Sequence, residues 1–156
     1  MLTKELLEQI EAYLALRFDY GRSCMECRMC LASSEKLDER LKQIKRTFPQ
    51  YLLNLIAERG LNEVDVYKRA HLDRRVFSKL RNLKDYMPRK RTVLSIAFAM
   101  ELELDEAEDL LDRAGYSLSE FSREDAIVEF FFENGIHDLF LINEALDHYG
   151  FKPLSH

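Results

Sequence analysis

The sequence predicts an all-α fold, and three observations support this. Apolar residues recur three or four positions apart along most of the chain, which is the spacing of one helix face. Glycine and proline are scarce, with five and three residues among 156, which disfavours loop-rich all-β folds and low-complexity sequence. An apolar content of 47% at this length suits one domain, or a small domain with extensions.

The N-terminal part of the chain contains two predicted helices. The first covers residues 3–18, with Thr3 as its N-cap. Residues 22–33 show no clear period, and a polar helix with a narrow apolar stripe follows at 34–46. We therefore treat residues 1–46 as an N-terminal helical extension.

The central part, residues 47–118, begins with a helix at 48–59. Pro49 lies in its first turn and Gly60 follows its end, and both residues are favoured at these positions. Asp73 is the predicted N-cap of a later helix, and Pro88 closes the loop before an apolar one. The predicted helices of this part are completed by 63–70, 74–82, 90–101 and 105–114.

The last part, residues 119–156, contains two predicted helices at 122–133 and 137–148, divided by Asn134 and Gly135. Their apolar surface is more than two helices can bury against each other. This surface either completes the core over the central domain or forms an interface with a partner.

Charge is distributed unevenly along the chain. The net charge is −5, yet residues 59–91 carry eleven basic and four acidic residues, while residues 92–149 carry two basic and fifteen acidic ones. A basic segment in an acidic protein predicts a polyanion site, because phosphate neutralisation supplies most of the non-specific affinity for nucleic acid. The alternative is a solvated face without a ligand.

The basic segment has the pattern of a helix-turn-helix: a short helix at 63–70, a tight turn at His71 and Leu72, and a second helix at 74–82. In such motifs the second helix enters the major groove of DNA. Arg74 and Arg75 stand at its N-terminal end, where arginine can form paired hydrogen bonds with guanine.

Residues 48–111 resemble the lambda-repressor-like (Cro/C1, Xre-type) DNA-binding domain. The resemblance rests on Arg59-Gly60-Leu61, on Lys68-Arg69-Ala70, on the turn and second helix at 72–80, and on Pro88 before the fourth helix. Ala97, Ala99 and Leu104-Asp105-Glu106 also match. More narrowly, residues 67–119 look like a variant of this domain found in bacterial accessory and mobile-element proteins.

The resemblance implies a sequence-specific transcriptional regulator that binds double-stranded DNA. It implies that the base-reading residues are Arg74, Arg75, Ser78 and Lys79. We expect phosphate or backbone contacts from the polar residues around them, namely Arg81, Asn82, Lys84, Arg89, Lys90 and Arg91. Three residues differ from the family pattern: Glu63 replaces a glutamine, Tyr67 a small residue and His71 a glycine.

Cys24, Cys27 and Cys30 form two overlapping C-x-x-C pairs. This spacing occurs in zinc and iron–sulfur sites, but three ligands leave a tetrahedral site incomplete. The same spacing also places three small apolar side chains on one helix face. The three cysteines could therefore be buried apolar residues, metal ligands or redox sensors, and the sequence favours burial. We expect no cofactor.

Other function classes have little support in the sequence. It contains no glycine-rich phosphate loop, no G-x-S-x-G and no H-E-x-x-H, so we do not expect an enzyme. The N-terminus has no apolar export signal and no apolar run approaches a membrane span, so we expect a cytoplasmic protein.

A homodimer is expected, because two-fold proteins read paired DNA half-sites. Its interface would be formed by the C-terminal apolar helices or by the first helix. The alternative to a DNA regulator is an adaptor of the same fold that binds a protein partner through the C-terminal helices, or RNA through the basic surface.

Overall fold

A computed structural model of the protein describes residues 2–19 and 47–155. Within these residues the structure is all-helical and contains no strand, which confirms the predicted fold class. The helices, in chain order, are α1 (Lys4–Asp19), α2 (Phe48–Glu58), α3 (Glu63–Arg69), α4 (Arg74–Asn82), α5 (Lys90–Ala99), α6 (Leu104–Arg113), α7 (Arg123–Glu133) and α8 (Leu139–His148). The predicted helix at 34–46 and the three cysteines lie outside the described residues.

Helix α5 is the centre of the core. Residues 93–100 are all buried, as expected for a helix that is apolar on nearly every side. The helix contacts α3, α6 and α8, and the ring of Phe98 stacks on that of Phe132 in α7 with 3.9 Å between the ring centroids. Helix α3 of the basic segment and the later helices α6, α7 and α8 therefore all pack against α5.

Most of the apolar surface of α7 and α8 completes this core. Five large apolar residues of α7 are at most 4% exposed: Ile127, Val128, Phe130, Phe131 and Phe132. In α8, Ile142 and Leu146 are fully buried, whereas Phe140 is 69% exposed. Nearly all large apolar side chains of the C-terminal helices therefore complete the core over the central domain, and few are left to form an interface with a partner.

Two predicted helix boundaries are wrong by two residues. Helix α5 ends at Ala99 rather than at residue 101, because Glu101 adopts a left-handed backbone with φ of +54°. Helix α8 begins at Leu139 rather than at residue 137, because the Asp138 side chain accepts a hydrogen bond from the Phe140 N–H and caps the helix.

Helix α1 packs on α7 through an ion pair and an aromatic contact. The Arg17 guanidinium lies 2.6 Å from a carboxylate oxygen of Glu129 and donates a hydrogen bond to the Tyr13 hydroxyl. The Tyr13 ring meets Phe130 edge-on, with 5.3 Å between the centroids. Burial, together with the negative charges of Glu129 and Glu133, raises the pKa of Tyr13 to about 12.

Candidate nucleic-acid interface

Helices α3 and α4 are the two helices that the sequence assigns to a helix-turn-helix, and each begins with a side-chain cap. Asn62 Oδ1 accepts a hydrogen bond from the Val64 N–H at 3.1 Å, and Asp73 Oδ1 accepts one from the Arg75 N–H at 2.9 Å. Such caps satisfy backbone donors that have no partner within the helix. The start of α4 is therefore fixed by its own sequence.

The turn between the two helices contains a non-glycine residue in the left-handed region. His71 has φ of +52°, and the Leu72 N–H donates to the Tyr67 carbonyl at 2.9 Å. With the bond from the His71 N–H to the Lys68 carbonyl at 3.1 Å, this is a Schellman ending of α3. Histidine thus occupies the conformation that favours glycine, and its ring packs against Phe140 of α8 at 4.8 Å between centroids.

The pair is held together by apolar contacts on its inner side. Val66 of α3 and Phe77 and Leu80 of α4 are at most 2% exposed. The Tyr67 ring lies 5.9 Å from the Phe77 ring, so the large residue at this position packs between the helices without separating them. Burial of Phe77 and Leu80 leaves the opposite side of α4 to polar residues.

All four predicted base-reading residues are exposed on α4: Arg74, Arg75, Ser78 and Lys79. The Arg75 guanidinium lies 3.9 Å from the Asp73 carboxylate, but 88% of its side chain is exposed. Lys79 Nζ lies 5.7 Å from the centroid of the Tyr86 ring. These cations are accessible to a polyanion along one side of the helix.

The predicted backbone-contact residues nearest to α4 differ in their partners. Arg81 Nε lies 3.2 Å from a carboxylate oxygen of Glu63 at the start of α3. Asn82 donates a hydrogen bond from Nδ2 to Ser78 Oγ at 3.4 Å, and Lys84 is exposed. Glu63 therefore binds one of the cations that the sequence assigns to phosphate.

Lys90 and Arg91 are bound to carboxylates of α7. Lys90 Nζ donates to both carboxylate oxygens of Asp125 at 2.7 Å, and Asp125 is only 5% exposed. Asp125 also accepts a hydrogen bond from the Ser119 N–H at 2.8 Å. Arg91 donates to Glu124 through Nε and a terminal nitrogen, at 3.2 and 3.1 Å. These cations hold α7 against α5.

The sequence did not reveal these carboxylate partners. Glu124 and Asp125 stand 33 and 35 residues after the cations that they bind. Their signal was weak, because acidic residues in the first turn of a predicted helix are explained equally well by the helix dipole. The contact of Phe140 with His71 also could not be found from the sequence, because it joins segments that are distant along the chain.

Within residues 2–19 and 47–155, no three histidine, cysteine, aspartate or glutamate side chains are grouped so that they could hold a metal ion. Helices of the described ranges are too short or too polar to cross a bilayer. The cysteine cluster is not among these residues, so its three interpretations stay open.

No protein-family model, curated protein or solved structure matches this chain. The resemblance of residues 48–111 to the lambda-repressor-like domain therefore remains an expectation from the sequence.

Proposed function

We propose that this protein is a sequence-specific DNA-binding regulator of transcription that inserts α4 into the major groove. The observation that carries the proposal is the exposed polar side of α4, which begins with Arg74 and Arg75 directly after a capped helix start. Arginine at this end of a recognition helix is positioned to contact guanine, and nearby exposed cations such as Lys84 can contact phosphate.

The capping and packing of α4 support this proposal independently of charge. Asp73 defines the first residue of the helix, and Phe77 and Leu80 define which side is buried. Base reading requires side chains to be presented in a fixed orientation, because a misplaced guanidinium cannot form both hydrogen bonds to guanine. The outward residues of α4 have this rigid support.

The experiment is selection of duplexes from a random-sequence library, followed by fluorescence anisotropy with the selected and a scrambled duplex. We expect the selected duplex to bind more tightly at both low and near-physiological salt. The double variant Arg74→Ala/Arg75→Ala should lose about tenfold or more of this preference, since each paired contact contributes about 1–3 kcal/mol. Thermal stability should be nearly unchanged, because both side chains are exposed.

The matched control is Arg123→Ala, which removes an exposed arginine at the start of α7. It should leave the preference between duplexes unchanged. Enrichment of no sequence, or an equal loss in the control, would contradict the proposal.

The proposal includes a homodimer that reads two half-sites about one helical turn apart. Sedimentation velocity of the full chain, with and without the selected duplex, tests this part. A single 156-residue chain bound to one half-site would contradict it.

A second candidate is an adaptor of the same fold that binds protein, or RNA, without reading DNA sequence. The ion pair between Glu63 and Arg81 favours it, because a carboxylate at the start of α3 repels phosphate and occupies a nearby cation. In the anisotropy experiment, this candidate predicts equal affinity for the selected and scrambled duplexes, or no binding to either.

A further inference from the structure

A cleft of about 640 Å³ lies beside the helix-turn-helix pair. Its walls come from four segments of the described chain: the turn at 71–73, the start of α5 at 89–92, the start of α7 at 122–125 and the C-terminal segment at 152–155. This volume is within the range of small-molecule sites, which are about 300–1,000 Å³. The cleft adjoins the N-terminal end of α4, because the N-cap residue Asp73 lines it, but none of the exposed residues of α4 does.

The charges of the cleft are not balanced. Lys90 and Arg91 are bound to Asp125 and Glu124, so these four groups neutralise one another in pairs. Two further cations line the cleft, Arg89 and Lys152, and both are exposed. Neither forms an ion pair with a carboxylate of the described residues. The remaining Asp73 caps α4 and lies 3.9 Å from Arg75.

The cleft also has an apolar portion. Leu72, Leu94, Pro153 and Leu154 line it, and Leu94 and Leu154 are only 2% and 5% exposed. A binding site of this kind suits a ligand with an organic body as well as an anionic group. An inorganic ion alone would leave the apolar portion in contact with water.

We propose that this cleft binds a small organic phosphate. Arg89 at the start of α5 and Lys152 in the C-terminal segment bind the phosphate group. The organic part lies against the apolar residues. Arg89 and Lys152 have no carboxylate partner among residues 2–19 and 47–155. A phosphate group matches two such cations better than a single carboxylate would, because it carries up to two negative charges and three acceptor oxygens. Arg89 is also one of the residues expected to contact DNA phosphate, whereas Lys152 is not, so substitution of Lys152 separates this proposal from DNA binding.

The start of α5 adds to this preference for an anion. Its N-cap residue is Arg89, whose side chain accepts no hydrogen bond from the helix. The first-turn N–H groups therefore lack the side-chain acceptor found at the starts of α4 and α7. This contribution is secondary to that of the two cations.

The experiment is calorimetric titration of the full chain, without DNA, with phenyl phosphate as the probe. Inorganic phosphate and phenol are titrated separately at constant ionic strength. We expect saturable binding of phenyl phosphate with one site per chain, and weaker binding of the other two. Failure of DNA binding would leave this result unchanged, so the two proposals are tested separately.

Lys152→Gln should weaken phenyl phosphate binding by about tenfold, because it removes one charge-assisted contact. Arg89→Gln should have a similar effect. The matched control is Lys4→Gln, which removes an exposed lysine of α1 outside the cleft and should leave affinity unchanged. Unchanged thermal unfolding of all three variants verifies that they are folded.

Three results would overturn the proposal. The first is absence of saturable phenyl phosphate binding. The second is equal affinity for inorganic phosphate, which would leave no role for the apolar residues. The third is an equal loss in Lys4→Gln and Lys152→Gln, which would indicate a general effect of net charge.

Discussion

Helix α4 and the start of α5 belong to the same basic segment of sequence but use their cations differently. On α4, Arg74, Arg75 and Lys79 extend into solvent. At the start of α5, Lys90 and Arg91 bind carboxylates of α7. The first group is available to a polyanion, whereas the second maintains the fold.

The difference shows that the net charge of a segment does not measure its capacity to bind nucleic acid. A cation that already forms two short hydrogen bonds to a buried carboxylate loses them if it turns toward phosphate. An exposed cation loses only hydration and side-chain freedom. Substitutions of these cations and of their carboxylate partners test this distinction.

Asp125→Ala should lower the free energy of unfolding by about 3 kcal/mol, because it leaves Lys90 without its buried partner. It also removes the acceptor of the Ser119 N–H. Urea unfolding followed by circular dichroism measures the change. The matched variant is Glu124→Ala, whose pair with Arg91 is more exposed and should contribute at most about 1 kcal/mol. Equal effects of the two variants would contradict the distinction between buried and exposed pairs.

Alkaline pH should weaken the packing of α1 on α7, where Tyr13 and Arg17 face Glu129. The pKa of Tyr13 is about 12 in the folded protein, against an ordinary value of 10.0. The folded state therefore holds the proton more tightly, and its contribution to stability is complete below pH 10. The free energy of unfolding should fall as pH rises from 10 toward 12.

Urea midpoints at pH 9 and pH 11 test this expectation, with Tyr13→Phe as the comparison. The variant cannot ionise at this position, so its midpoint should fall less than that of the wild-type protein. Identical shifts would assign the alkaline loss to other groups, such as Tyr51, whose pKa burial also raises.

Lys84→Gln and Lys90→Gln should separate the two groups of cations in DNA binding. Lys84 is exposed after α4, so its loss should reduce the salt dependence of binding by about one phosphate contact for every sequence. Lys90 is bound to Asp125, so its loss should lower stability and leave the salt dependence unchanged. Anisotropy across a range of salt concentrations measures both, and the same reduction in both variants would contradict this assignment.

The smallest effect is expected for Glu63→Gln. This change removes a negative charge from the start of α3 and releases Arg81 from its ion pair. DNA affinity should rise by about twofold, since an exposed pair contributes only a few tenths of a kcal/mol. The second candidate function predicts no response. The exposed pair of Lys4 and Glu8 provides a control through Glu8→Gln.

Sequence periodicity was sufficient to predict the helices of the described residues, because one buried face repeats every three or four residues. On α4, Phe77 and Leu80 stand three positions apart and are both buried, and the outward residues are those between and around them. The two boundary errors arose at Glu101 and Asp138, where a left-handed residue and a side-chain cap override the apolar pattern.

The pairing of charges could not be predicted from the sequence. Fifteen acidic residues lie between positions 92 and 149, and periodicity does not indicate which of them meets Lys90. That choice depends on how α7 crosses α5, which is set by large side chains such as Phe98 and Phe132. The sequence assigns Lys90 and Arg91 to phosphate from local charge alone. Their ion pairs with Asp125 and Glu124 favour a structural role instead, and the salt dependence of DNA binding by Lys90→Gln decides between the two.

The left-handed conformation of His71 restricts which substitutions the turn tolerates. Glycine or asparagine would relieve the backbone, whereas valine would be strained there because of its branched Cβ. However, both substitutions would remove the ring contact with Phe140. Backbone geometry and packing thus favour different residues at position 71. A saturation library at this position should retain only the few residues that tolerate the left-handed backbone and also pack against Phe140.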